Sequence, residues 1–108
     1  MLSLPAERID LRGASGAVYG FHLADPQALP ERAGAYALCR PGEEPLLIAE
    51  TDRLDTAAAE LRRAQSGDPE VRLFIRLNVR RQIRLDELSD ILAARDRRCG
   101  ADRARTAA

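Results

Sequence analysis

The segment Val71–Val79 constrains this chain most strongly. Val71, Leu73, Ile75, Leu77 and Val79 alternate with Arg72, Phe74, Arg76, Asn78 and Arg80. Side chains of a strand point to opposite faces with a period of two, so nine residues in strict alternation predict a strand with one buried face. A strand that long needs partners, and the rest of the sequence has to supply them.

Three further segments do so. Ala17–Ala24 alternates Tyr19, Phe21 and Leu23 against Val18, Gly20 and His22, and Asp25-Pro26 ends it because Pro cannot donate to a ladder. Gly34–Arg40 reads as another strand. Pro41-Gly42-Glu43-Glu44-Pro45 is a turn signal, and the apolar run Leu46–Ala49 fits a strand buried on both faces. These two strands pair as a hairpin. Residues 1–16 are a polar lead-in with a short edge strand around Ile9–Leu11.

Two segments carry helical spacing instead. Leu54, Ala57, Ala58, Leu61 and Ala64 recur at steps of three and four, with Thr51 or Asp52 as N-cap and Gly67 suited to the left-handed C-terminal position. Arg81–Arg84 turns a corner. Leu85–Arg95 then aligns Leu85, Leu88, Ile91 and Leu92 on one stripe, with Asp86 near its N-terminus. Residues 96–108 are Arg- and Ala-rich without an apolar pattern and read as a flexible tail. The order β, β, β, α, β, α predicts one α+β domain over residues 1–95: a small, mostly antiparallel sheet with two helices packed on it.

Composition narrows the function classes. The chain has 108 residues, enough for one core, and 31% of them are charged. No apolar run is long enough to span a membrane, and the N-terminus lacks the basic start and apolar stretch of a signal peptide, so a cytoplasmic protein is expected. One His and two distant Cys, Cys39 and Cys99, offer no metal-ligand spacing and read as free thiols. All 17 basic residues are Arg and balance 17 acids, but unevenly: residues 1–60 carry an excess of acids and residues 61–108 an excess of Arg. Such a dipolar chain can offer a basic face to an anion, or pair with its own acidic half within or between subunits.

The hairpin–helix–strand–helix order resembles the core of GIY-YIG nucleases over roughly residues 34–92. Gly34-Ala35-Tyr36 resembles the first motif of that family. Leu47-Ile48-Ala49 retains only Ile48 of the second, and Glu50-Thr51-Asp52-Arg53-Leu54 looks like the usual continuation into a helix. The resemblance implies metal-dependent phosphodiester hydrolysis, with a phenol as base, a helix Arg supporting the phosphate and a carboxylate holding a divalent ion. Tyr36 matches the phenol and Glu87, with Asp86 or Asp90 as rivals, is the nearest carboxylate. The expected Arg and His positions fall near Ala57 and Leu61, both apolar here, so a divergent nuclease needs another Arg such as Arg53 or Arg62. So many missing groups predict an inactive domain that binds protein or itself, needing no cofactor; Mg2+ or another divalent ion enters only if a divergent nuclease survives.

A separate reading rests on the Arg stripe. Arg72, Arg76 and Arg80 share a strand face with Phe74, and no acid interrupts residues 71–85. Arg beside an aromatic suits nucleic acid. Against this, the same Arg residues can pair with Glu43, Glu44 or Glu50 on neighbouring strands, Tyr36 can be a half-buried strand residue, and Glu87 can serve only the helix N-terminus.

Overall fold

The computed structural model describes residues 7–107, with side chains described to Arg95. Residues 1–6 at the start of the lead-in and the Cys99 thiol lie outside the described residues. The strands are β1 (Arg8–Arg12), β2 (Val18–Leu23), β3 (Gly34–Cys39), β4 (Leu47–Thr51) and β5 (Arg72–Leu77). The helices are α1 (Ala57–Gly67), entered through a 3-10 turn at Leu54–Thr56, and α2 (Arg81–Ala107). The expected α+β order holds.

All five strands form one antiparallel sheet in the order β1-β2-β5-β3-β4. The β3–β4 hairpin pairs Gly34 with Thr51 and Leu38 with Leu47. Gly42, at φ 72, supplies the left-handed residue in its turn. β5 is central, between β2 and β3, so the expected single buried face is wrong. Leu73 is buried on one side and Phe74 on the other, while Leu77 and Val79 are exposed because the strand stops at Leu77. β4 is an edge strand, not one buried on both faces: Ile48 is buried but Leu47 is exposed.

The helices cover opposite faces. Tyr36, Leu38, Val71 and Leu73 pack with Leu54, Ala57 and Leu61 on the α1 side. Phe21, Ala35, Ala37, Cys39, Ile48 and Phe74 pack with Leu88 and Ile91 on the α2 side. Alternation along β3 thus sends Tyr36 and Leu38 one way and Ala35, Ala37 and Cys39 the other. Gly34 begins β3 for a steric reason: a Cβ there would lie 2.5 Å from the Arg76 carbonyl oxygen and 2.8 Å from Leu54 Cδ1.

Helix boundaries differ from the sequence reading at three places. Thr51 Oγ1 accepts the Arg53 N–H and Thr56 Oγ1 donates to the Arg53 carbonyl, so this threonine shapes a turn and α1 starts later, without a side-chain cap. Gly67 is the last residue of α1 and has no positive φ. α2 begins at Arg81, where a corner was expected, and its backbone runs on to Ala107 through most of the expected tail.

Candidate functional site

The catalytic candidates do not converge. Tyr36 lies in β3 with its ring buried against Leu54, Ala57 and Leu61 under α1. Burial, and then Glu60, push its phenol above the ordinary value of 10.0, the wrong direction for a base at neutral pH. Glu87 lies on α2 and receives two hydrogen bonds from Arg76, Nε at 3.0 Å and Nη2 at 3.1 Å. Arg76 pairs across the sheet with Ala35, whose side chain points away from that of Tyr36. The sheet therefore separates Tyr36 from Glu87. Arg53 stands apart from both, in the turn before α1, bonded to Asp55 at 2.7 Å and near Glu31.

Glu87 also does not fit a divalent ion. Its carboxylate already faces a guanidinium. Asp90 is held by the Ser15 N–H at 2.9 Å, the Ser15 hydroxyl at 2.6 Å and the Tyr19 hydroxyl at 2.8 Å, and Asp86 accepts from Gln82. Among the described residues no group of three His, Cys, Asp or Glu is placed to hold a metal ion. The Ser15 and Tyr19 hydroxyls keep the Asp90 carboxyl below its usual 3.8. These bonds tie the β1–β2 turn to α2, and a Cβ at Gly13 would collide with the Asp90 carboxylate.

The expected Arg stripe is not one exposed surface. Phe74 is buried in the α2-side core. Arg76 donates to the Gly20 carbonyl as well as to Glu87 and lies 5.5 Å from the Tyr19 ring centroid, filling the gap where β2 and β5 part beyond Ile75. Arg72 donates to the carbonyls of Pro69 and Val71. Arg80 is exposed beyond the end of the strand. Arg72 and Phe74 line one cavity, of about 390 Å³, together with Ile9, Leu11 and Cys39. Burial pushes the Cys39 thiol up to about 11, which disfavours its thiolate at neutral pH.

The residue that sequence reasoning missed is Arg84. It is only 1% exposed. Its Nε donates to Glu50 at 3.0 Å, Nη1 to the Asn78 carbonyl at 3.1 Å and Nη2 to Asp52 at 2.8 Å. It thus pins the start of α2 to β4 and to the turn after β5. Farther along α2, Arg95 donates to the Pro45 carbonyl at 2.7 Å. These two anchors lay α2 along β4, its start near Glu50 and Arg95 near Pro45.

That arrangement leaves one composite surface open. Among the described residues no strand pairs with β4 on its outer side. Glu87 and Asp90 of α2 face β5 and β2, while Arg84 and Arg95 face β4. At 100° per residue, Leu85, Ser89 and Leu92 then project on the far flank, over the open edge of β4. With Leu88 and Ala93 they line a shallow groove. Leu46 is 59% exposed, and Leu47 and Leu92 are each 37% exposed. No protein-family model matches the chain, and neither the curated proteins nor the solved structures contain a match.

Proposed function

We propose that this chain is a non-catalytic binding module, built on a GIY-YIG-like frame, whose ligand is protein. The separation of Tyr36 and Glu87 by the sheet carries the reading. A phenol on the α1 side and a carboxylate on the α2 side cannot act on one phosphodiester. Ala57 and Leu61, at the positions where the Arg and His are expected, are spent on packing, and Arg62 is exposed on α1, on the opposite side of the sheet from Glu87. General acid–base and charge-stabilising groups each contribute about 10²–10⁴ in rate, so losing several leaves nothing to detect.

What remains is a rigid sheet with one unguarded apolar edge. β1, at the other edge, presents exposed Arg8, Asp10 and Arg12, the charges that discourage strand addition. β4 presents Leu47, Ile48 and Ala49 before its first charge. An edge strand beside a helix flank is a common way to accept another strand. The test is incubation of pure protein with single- and double-stranded DNA and RNA in Mg2+ or Mn2+. The expected result is no cleavage above buffer. Metal-dependent cleavage lost in Tyr36→Phe would overturn the proposal.

A further inference from the structure

We infer that the cavity walled by β1 and the β3–β4 turn is a binding site for a small apolar molecule that carries one hydrogen-bond acceptor. The site lies at the turn end of the sheet and does not use the outer edge of β4. Its floor is apolar, because Ile9, Leu11, Cys39 and Phe74 line it from the α2-side face. At about 390 Å³ it falls within the size range of small-molecule sites.

Three observations define what fits. The first is that the wall is already in place. Pro41 and Pro45 fix φ near either end of the turn, and Gly42 takes its left-handed position. The Leu46 N–H donates to the Leu38 carbonyl at 2.7 Å, and Arg95 donates to the Pro45 carbonyl at 2.7 Å. A ligand therefore has little to order when it binds. The second is that the other charges around the rim already have partners. Asp10 pairs with Arg8 at 2.8 Å, Glu43 with Arg40 at 2.9 Å and Glu44 with Arg95 at 3.7 Å, while Arg40 also meets Asp68 and Glu70. A highly charged occupant would have to break these pairs, so the body of the ligand is apolar. The third is Arg72. Its Nη1 donates to the Pro69 carbonyl at 2.9 Å and the Val71 carbonyl at 3.1 Å, which fixes the guanidinium at the cavity wall. Among the described residues no carboxylate pairs with it, and its Nε and Nη2 have no partner. A guanidinium offers donors only, so the complementary group is an acceptor, a carbonyl or carboxylate at one end of the apolar body.

The site is tested by titrating the full chain, labelled with nitrogen-15, and following its amide and Arg Nε–H resonances. Octanoate and methyl hexyl ketone share the acceptor and differ in charge. Both are expected to shift Cys39, Phe74 and the Arg72 Nε–H saturably. Octylammonium, which has the same apolar body but only donors, is expected to bind at least about tenfold more weakly. Arg72→Leu keeps an apolar stem and removes the donors, so it is expected to bind all three probes alike. Ile9→Trp fills the cavity and is expected to bind none of them. Val18→Thr, exposed on β2 away from the cavity, is expected to bind as wild type does. Circular dichroism verifies that each variant is folded. A wild-type chain that neither acceptor shifts saturably, or one that takes octylammonium as tightly as octanoate, would overturn the inference. So would shifts that persist unchanged in Ile9→Trp. None of these results bears on the binding-module reading, which is judged by the cleavage assay.

Discussion

Replacing Arg84 with Ala removes the pin that joins α2 to β4. The side chain is almost wholly buried, and its three hydrogen bonds go to Glu50, Asn78 and Asp52. Losing two buried methylenes costs about 1.6 kcal/mol. The Asn78 carbonyl and the largely buried Glu50 carboxylate lose their partner, whereas Asp52, 84% exposed, regains water. Removing one member of a buried ion pair typically costs ~3–5 kcal/mol in total, and that is the expectation for Arg84→Ala. Arg84→Met keeps the apolar stem and should cost about 1–2 kcal/mol less. Glu50→Gln retains an acceptor and should cost about 1–2 kcal/mol. Asp52→Asn should cost ~0–1 kcal/mol, as for exposed pairs. Urea unfolding followed by circular dichroism gives all four values. With a total stability of about 5–10 kcal/mol for a domain this size, Arg84→Ala should lose about a third of it or more at 25 °C. Arg84→Ala within 1 kcal/mol of wild type, or Asp52→Asn as costly as Arg84→Ala, would refute the pin.

Other outcomes follow from the same geometry. Gly34→Ala should destabilise by about 1–3 kcal/mol, because the added Cβ meets the Arg76 carbonyl oxygen and backbone must move; a neutral result in the same unfolding assay would contradict that packing. Asp90 has a lowered pKa in the folded chain, so its contribution is full above the ordinary 3.8 and is lost as pH falls through the folded value. Asp90→Asn should therefore flatten the acid limb of the stability–pH curve; an unchanged limb would dismiss the clamp. Tyr19 and Tyr36 should both ionise above pH 10.0 in an ultraviolet titration, Tyr19 because its hydroxyl donates a hydrogen bond to the Asp90 carboxylate and Tyr36 because of burial; a midpoint at or below 10.0 for either would count against its placement.

The fold was largely legible, and its failures are instructive. β2, β3 and the α1 packing face follow from local alternation and spacing, and these agree with the structure. β5 was misread because alternation reports residue types, not sheet order. The β1–β2 hairpin joins its free side and α2 covers Phe74, both through contacts distant in sequence. Arg84 was hidden by its neighbours, since a basic run from Arg80 to Arg84 reads as solvated. Its signal was spacing: Arg84, Leu88, Ile91 and Arg95 follow the helical repeat, so extending α2 backwards places Arg84 on the buried stripe. The candidate site was legible in residue types but not in position. Tyr36 and Glu87 were chosen from a motif, and only the alternation of β3, combined with the Arg76–Glu87 bond, reveals that the sheet stands between them.

Hydrogen exchange along Leu47–Thr51 tests the open β4 edge, on which the binding reading relies, most directly. The amides that face β3 should be protected and the alternate, outward amides should exchange freely. Outward amides as slow as those that face β3 would contradict an open edge and strand addition there.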